Sequence, residues 1–246
     1  MFESVMAPRL AWSCLPLLLA AVAAAQALEP PAVTYPPLPA HGRDAAAFVP
    51  SGWTLEFERR GDLNGDGRAD LLLVLKMADP RNVLDNGGFG PDRFDTNPRM
   101  LAVAFAEDDS YRLALRDHTL IPRPDAPNME DYLDGGEPDI ARGAFSVNLH
   151  QFSSAGSWNT SETTFLFRYR QDCFQLIGYD MRGLHRGSGE VTEISVNYLT
   201  GKAKLRGGSI EDSALRTHWR QLPKQPLRCL QQVGDGFAFD PGVARD

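Results

Sequence analysis

Asp62, Asn64, Asp66 and Asp70 fall in the stretch "DLNGDGRAD", a D-x-N-x-D-G-x-x-D spacing. Alternate positions point short oxygen-bearing side chains at one centre, and the carbonyl of Arg68 supplies a further oxygen between Asp66 and Asp70. Gly67 permits the sharp turn this requires. Numerous hard oxygens in a flexible shell are the ligands calcium takes. The predicted metal ligands are therefore Asp62, Asn64, Asp66, Asp70 and the Arg68 carbonyl. Without a cation, three carboxylates this close repel one another, and that repulsion costs stability. The plain alternative is a polar turn, since Asp, Asn and Gly are ordinary turn formers. The loop offers no histidine, and an all-oxygen calcium shell activates water poorly beside zinc. A structural ion is expected rather than a catalytic one.

The loop departs from an EF-hand. Leu73 stands where the bidentate glutamate would be, and the strand-like "DLLLVLK" follows in place of a helix. In these respects it resembles the calcium loops of the FG-GAP class, found in integrin-type β-propellers and many secreted bacterial proteins. That resemblance covers residues 61 to 75, the core of one repeat, and implies a structural ion in a loop joining two strands. The order "YRLALRDHTL", "GAFSVNLHQF", "TTFLFRYRQDCFQLIGYD" and "VTEISVNYLTGKAKL" resembles a group of uncharacterised secreted bacterial proteins in which such a loop comes first. The second resemblance covers most of the chain and implies no activity.

Strands must position the loop. "WTLEFE" sets Trp53, Leu55 and Phe57 on one face, "MLAVAFA" alternates through Leu101, Val103 and Phe105, and "YRLALRD" through Tyr111, Leu113 and Leu115. Phe145, Val147 and Leu149 alternate in the same way, as do Phe165, Phe167 and Tyr169, and Ile194, Val196 and Tyr198. Period-two alternation of this kind is that of half-buried antiparallel strands. Leu71 to Leu75 is apolar on both faces and should pair with "WTLEFERR" across the loop. "RQDC" breaks Phe165 to Tyr179 into a hairpin, and Gly201 in "LTGKAK" suits a tight turn. Gly208 to Leu222 invites one short C-terminal helix, with Ser209 as cap and Glu211 and Asp212 in its first turn. The fold class is mainly β, with antiparallel sheets in a sandwich or a partial propeller-like arrangement and long loops at 79–99 and 119–140.

Residues 1–27 read as a signal peptide: Arg9 precedes the apolar run Leu10 to Ala25, and Ala25-Gln26-Ala27 is a small-x-small cleavage site. Cys14 would be discarded with it. Residues 28–50 carry Pro30, Pro31, Pro36, Pro37, Pro39 and Pro50 and read as an extended, poorly folded lead-in. Residues 51–246 form a single β-rich domain. A periplasmic or extracellular location follows, with no membrane span expected after the signal. The net charge of -7 argues against nucleic acid and anionic membrane surfaces as partners. In an oxidising compartment a Cys173–Cys229 disulfide is the economical reading, with two buried free thiols as the alternative.

Other groups carry less. Glu130, Asp131, Asp134, Glu137 and Asp139 could supply the carboxylate pair of a glycosidase, or form a solvated loop tip. "DNGGFGPDRFD" fits no metal or dinucleotide template, and the five histidines form no H-x-x-x-H pair. His185 and Ser188 are close in sequence, as in a polar hairpin loop. Trp158, in "SAGSWNTSETTF", either presents an exposed aromatic for recognition or folds back over the sheet. The expected function is a non-enzymatic, calcium-stabilised module binding a protein or glycan. A hydrolase using the 130–139 carboxylates or the calcium site is the alternative.

Overall fold

The computed structural model describes residues 28–243, so the signal peptide expected at 1–27 and its cleavage site lie outside the described residues. In chain order the strands are β1 (His41–Gly42), β2 (Trp53–Gly61), β3 (Asp70–Met77), β4 (Val83–Asp85), β5 (Arg93–Asp95), β6 (Arg99–Ala106) and β7 (Tyr111–Asp117). Then follow β8 (Asp139–Ala141), β9 (Ala144–Phe152), β10 (Asn159–Arg170), β11 (Cys173–His185), β12 (Glu190–Asn197), β13 (Lys202–Ser209) and β14 (Arg216–Gln221). A five-stranded sheet has the order β1-β7-β6-β3-β2, and a seven-stranded meander runs from β8 to β14 without a crossover. The meander curls like half a barrel. The 79–99 connection holds its own small sheet of β4 and β5. Every strand pair is antiparallel, as the alternation requires.

The two large sheets share one core. Leu72, Val74, Leu101 and Val103 from the first meet Phe145, Val147, Phe165 and Phe167 from the second. The opposite face of the five-stranded sheet, Leu71, Leu73, Leu75 and Met100, is also buried, against Leu38, Ala45 and Phe48. That explains why β3 is apolar on both faces: each buried leucine contributes roughly 1.5–3 kcal/mol over an exposed one, and β3 has no solvent side. The cover comes from the Pro-rich lead-in, which is docked rather than poorly folded and holds β1 and a 3-10 turn at Ala45–Phe48. Tyr35 stacks on His118 with ring centroids 4.1 Å apart, and Arg116 donates to the Pro36 carbonyl at 2.7 Å.

Three expectations need correcting. Trp53, Leu55 and Phe57 do not share a face, because the β2–β3 register shifts between Leu55 and Phe57. This bulge leaves Trp53 and Leu55 under the lead-in and turns Phe57 to the shared core. A second shift, between Val103 and Ala104, separates Leu113 from Leu115 on β7 in the same way. The segment Gly208 to Leu222 is not a helix. It is the end of β13, a tight turn in which Asp212 accepts the Ser209 N–H at 2.7 Å, and β14. The acidic residues that would start a helix close a turn instead, and the free edge of β13 gives Arg216–Gln221 a ladder to join. The residue types at Thr217, His218 and Trp219 suit that strand.

Other turns match their residues. Gln171 and Asp172 connect β10 to β11 with φ of 49° and 61°, the double left-handed geometry of a two-residue hairpin. Cys173, which follows, is bonded to Cys229, with Cα atoms 5.8 Å apart. No helix among the described residues is long and apolar enough to cross a membrane.

Candidate functional site

The loop of carboxylates connects β2 to β3, whose last ladder pair is Gly61 with Asp70. Leu63 is buried in the shared core and anchors the loop from within. Around it the side chains bond to the loop's own backbone. Asp62 accepts from the Gly65 N–H at 2.7 Å and from the Gly67 N–H at 2.9 Å. Asn64 Oδ1 accepts from Asp66 N–H at 2.9 Å, and Asp66 Oδ1 accepts from Arg68 N–H at 2.8 Å. Gly67 takes φ 81°, a conformation a side chain would resist. Asp70 is fully buried and bridges two elements, accepting from Leu63 N–H and from Ala106 N–H at the end of β6, both at 2.8 Å.

The loop lies where the two sheets meet. A β-carbon on Gly61 would stand 2.7 Å from Ile140 of β8, so only glycine lets the strands approach there. Arg59 of β2 pairs with Glu137, just before β8.

The charges are poorly balanced within the loop. Burial pushes the Asp70 carboxyl up, and the nearby Asp66 charge adds to this against the pull of the Ala106 and Leu63 N–H groups. The Arg68 N–H and the Asn64 amide hold the Asp66 carboxyl below the usual range. The Arg68 guanidinium turns outward to Asp108, 3.0 Å away. Among the described residues no three His, Cys, Asp or Glu side chains stand grouped as a metal would need; the loop's N–H groups hold its carboxylates instead. Each oxygen so held keeps a lone pair free. Short oxygen donors of this kind are what a hard divalent cation takes. Asp62, Asn64, Asp66, Asp70 and the Arg68 carbonyl would hold it, and it would supply neutralising charge.

Three of the five acids in the second cluster are paired, while Asp134 and Asp139 are exposed. Glu130 lies 3.2 Å from His150, Glu137 pairs with Arg59, and Asp131 lies 2.7 Å from Arg99. Arg99, which sequence reasoning passed over, is 3% exposed and also grips Glu56 at 2.6 and 2.7 Å. Asp85 pairs with Arg93 across β4 and β5, and Asp95 with Lys76. His185 Nδ1 is 2.8 Å from Ser188 Oγ and also accepts the Ser188 N–H, so the pair closes the β11–β12 turn.

Trp158 is exposed, at 65%, and its loop is firmly held. The Arg186 guanidinium sits 4.3 Å from the Phe152 ring centroid and donates to the carbonyls of Ser153 and Ser157 at 2.6 and 2.7 Å. Asn128 donates to Ser153 Oγ and to the Ala155 carbonyl, both at 2.7 Å. The Arg186 N–H bonds the Trp158 carbonyl, and the Ile210 N–H bonds that of Gly189, each at 2.8 Å. The 186–189 turn thus stands between Trp158 and Ile210, itself 64% exposed. Nothing in the sequence signalled Arg186 as the fastener, because its partners are backbone carbonyls. No family model, curated protein or solved structure matches the chain.

Proposed function

We propose that this is a calcium-stabilised β protein of the periplasm or exterior that binds a protein or glycan at the end of the seven-stranded sheet carrying Trp158. The observation behind this reading is the exposure of Trp158 on a loop that Arg186 and Asn128 hold in place. A large aromatic kept in water by a rigid frame is already organised for contact, so little ordering entropy is lost on binding. The disulfide is compatible with an oxidising location. Trp158→Ala should leave the unfolding free energy within about 0.5 kcal/mol of the parent, as for other exposed positions. It should also abolish retention of envelope proteins or polysaccharides on the immobilised protein. Retention unchanged in the variant would remove this face from the reading.

Calcium in this reading is a staple that fixes the β2–β3 register and neutralises the carboxylates beside a buried strand. The support is the donor set and the position of Asp70, which ties the loop to both β3 and β6. With no position-12 glutamate, the affinity should be on the order of 10⁻⁴ M, as in extracellular modules. Calcium at ten times that level would stabilise the fold by about 1.4 kcal/mol. For a chain of this size that raises the melting temperature by about 3–6 °C. Asp66→Ala should cancel the rise. Identical melting curves in chelator and in millimolar calcium would rule the ion out.

A further inference from the structure

At the other end of the same strands, a half-open cavity of about 510 Å³ lies between the β12–β13 turn, the 222–228 segment and the C-terminal tail. Its walls are apolar: Leu176, Tyr198, Leu222, Leu227 and Phe239 line it, and Leu199 stands 45% exposed at its edge. Three cations surround it: Arg170, Lys224 and Arg228. None of the three has a carboxylate partner among the described residues, although the chain carries a net charge of -7 and ion pairs are frequent elsewhere on it. Arg228 rests over the Phe239 ring, 5.4 Å from its centroid, and so has only a neutral partner. The acid of the lining, Asp240, accepts the Gly242 N–H at 2.8 Å. Tyr198 donates to the Pro241 carbonyl at 3.2 Å, which holds the tail as one wall.

We infer that this cavity binds a small amphipathic carboxylate, with an apolar tail of medium length against Leu176, Leu222 and Phe239 and its head among Arg170, Lys224 and Arg228. A cavity of this volume suits a small organic ligand, and apolar walls with a few convergent polar groups are the usual composition of such a site. The cations select the head: a carboxylate gains charge-assisted hydrogen bonds that an alcohol cannot match. A protein chain ending in a free carboxylate shares part of this chemistry. The volume of the cavity, sized for a small organic ligand rather than an extended chain, favours the small molecule. This site is separate from the Trp158 face, and each can fail without the other.

The test is titration calorimetry of the full chain with sodium decanoate below its micelle concentration. Saturable binding of one decanoate per chain is expected, weaker by about tenfold or more for 1-decanol and for the Lys224→Gln/Arg228→Gln variant. Both substituted positions are exposed, so the variant should melt with the parent. Leu199→Trp, which obstructs the edge of the cavity, should weaken binding to a similar degree. Absence of saturable binding, equal affinity for decanol, or equal affinity in both variants would overturn the assignment. Tighter binding of an apolar hexapeptide with a free carboxyl terminus would overturn it in favour of a protein tail.

Discussion

Replacing Arg99 with methionine is expected to destabilise the protein by about 3 kcal/mol at neutral pH, the lower part of the range for breaking a buried ion pair. The guanidinium lies inside the fold on β6, where it joins Glu56 of β2 to Asp131 of the long 119–140 connection. Removing it leaves two carboxylates around an apolar slot. Asp131 keeps some access to solvent, which is why the upper part of the range is not expected. Burial acts to raise the Asp131 carboxyl, but its bonds to Arg99 and to the Leu133 N–H outweigh this and hold it below the usual range. A carboxyl depressed in the folded state adds stability that is complete above its unfolded pKa, about 3.9. That contribution is lost as pH falls through the lower folded value. In the variant, burial acts without the cation, so protonation relieves the carboxylates instead. The gap between parent and variant should therefore be wide at pH 7 and narrower at about pH 3, below the unfolded value. Urea denaturation at both pH values measures it, and a gap that does not change with pH would defeat the ion-pair explanation.

Removing the disulfide with Cys173→Ser/Cys229→Ser should cost about 4 kcal/mol, the chain-entropy value for a separation of this size. The bond spans 56 residues, from the start of β11 to the short 3-10 turn Leu230–Gln232. Beyond it, Leu230, Val233 and Val243 sit in the shared core, so the bond also holds the tail that closes the second sheet. Without it the melting temperature should drop by about 8–16 °C, and limited proteolysis should first cut after residue 222. A variant that melts within a degree or two of the parent, or whose tail resists protease, would show that packing alone seats the tail.

The strands were legible because alternation survives wherever one face is buried. Phe145, Val147, Leu149, Phe165 and Phe167 all lie in the shared core, as their period implies. The bulges were not, since an extra residue at Glu56 or Ala114 leaves no mark on a period-two pattern and yet turns every later side chain over. The helix expected at Gly208 to Leu222 rested on a local cap signal, and the open edge of β13, a tertiary fact, prevailed. At the loop, the ligand residues could be picked out by spacing. The hold of Asp70 on Ala106 could not, because it depends on which strand lies beside β3. Arg99 escaped for a similar reason: Glu56 alternates with the apolar residues of "WTLEFE" and Asp131 read as part of a loop tip, and only the bulge and the fold bring them to one guanidinium.

The docked lead-in also constrains the order in which the molecule can assemble. Pro31 and Pro36 bond to Arg123 and Arg116, contacts separated by 92 and 80 residues. Closing loops of that length is entropically slow, and their partners exist as a surface only once β7 has joined its sheet. During synthesis the lead-in emerges ahead of the strands it covers, yet it must wait for nearly half the chain. Until it docks, Leu71, Leu73, Leu75, Met100, Ala102 and Ala104 form a bare apolar plane. In that interval two nascent copies can meet through these planes, so the yield of refolding should fall as concentration rises, while a chaperone that shields extended apolar surface should restore it.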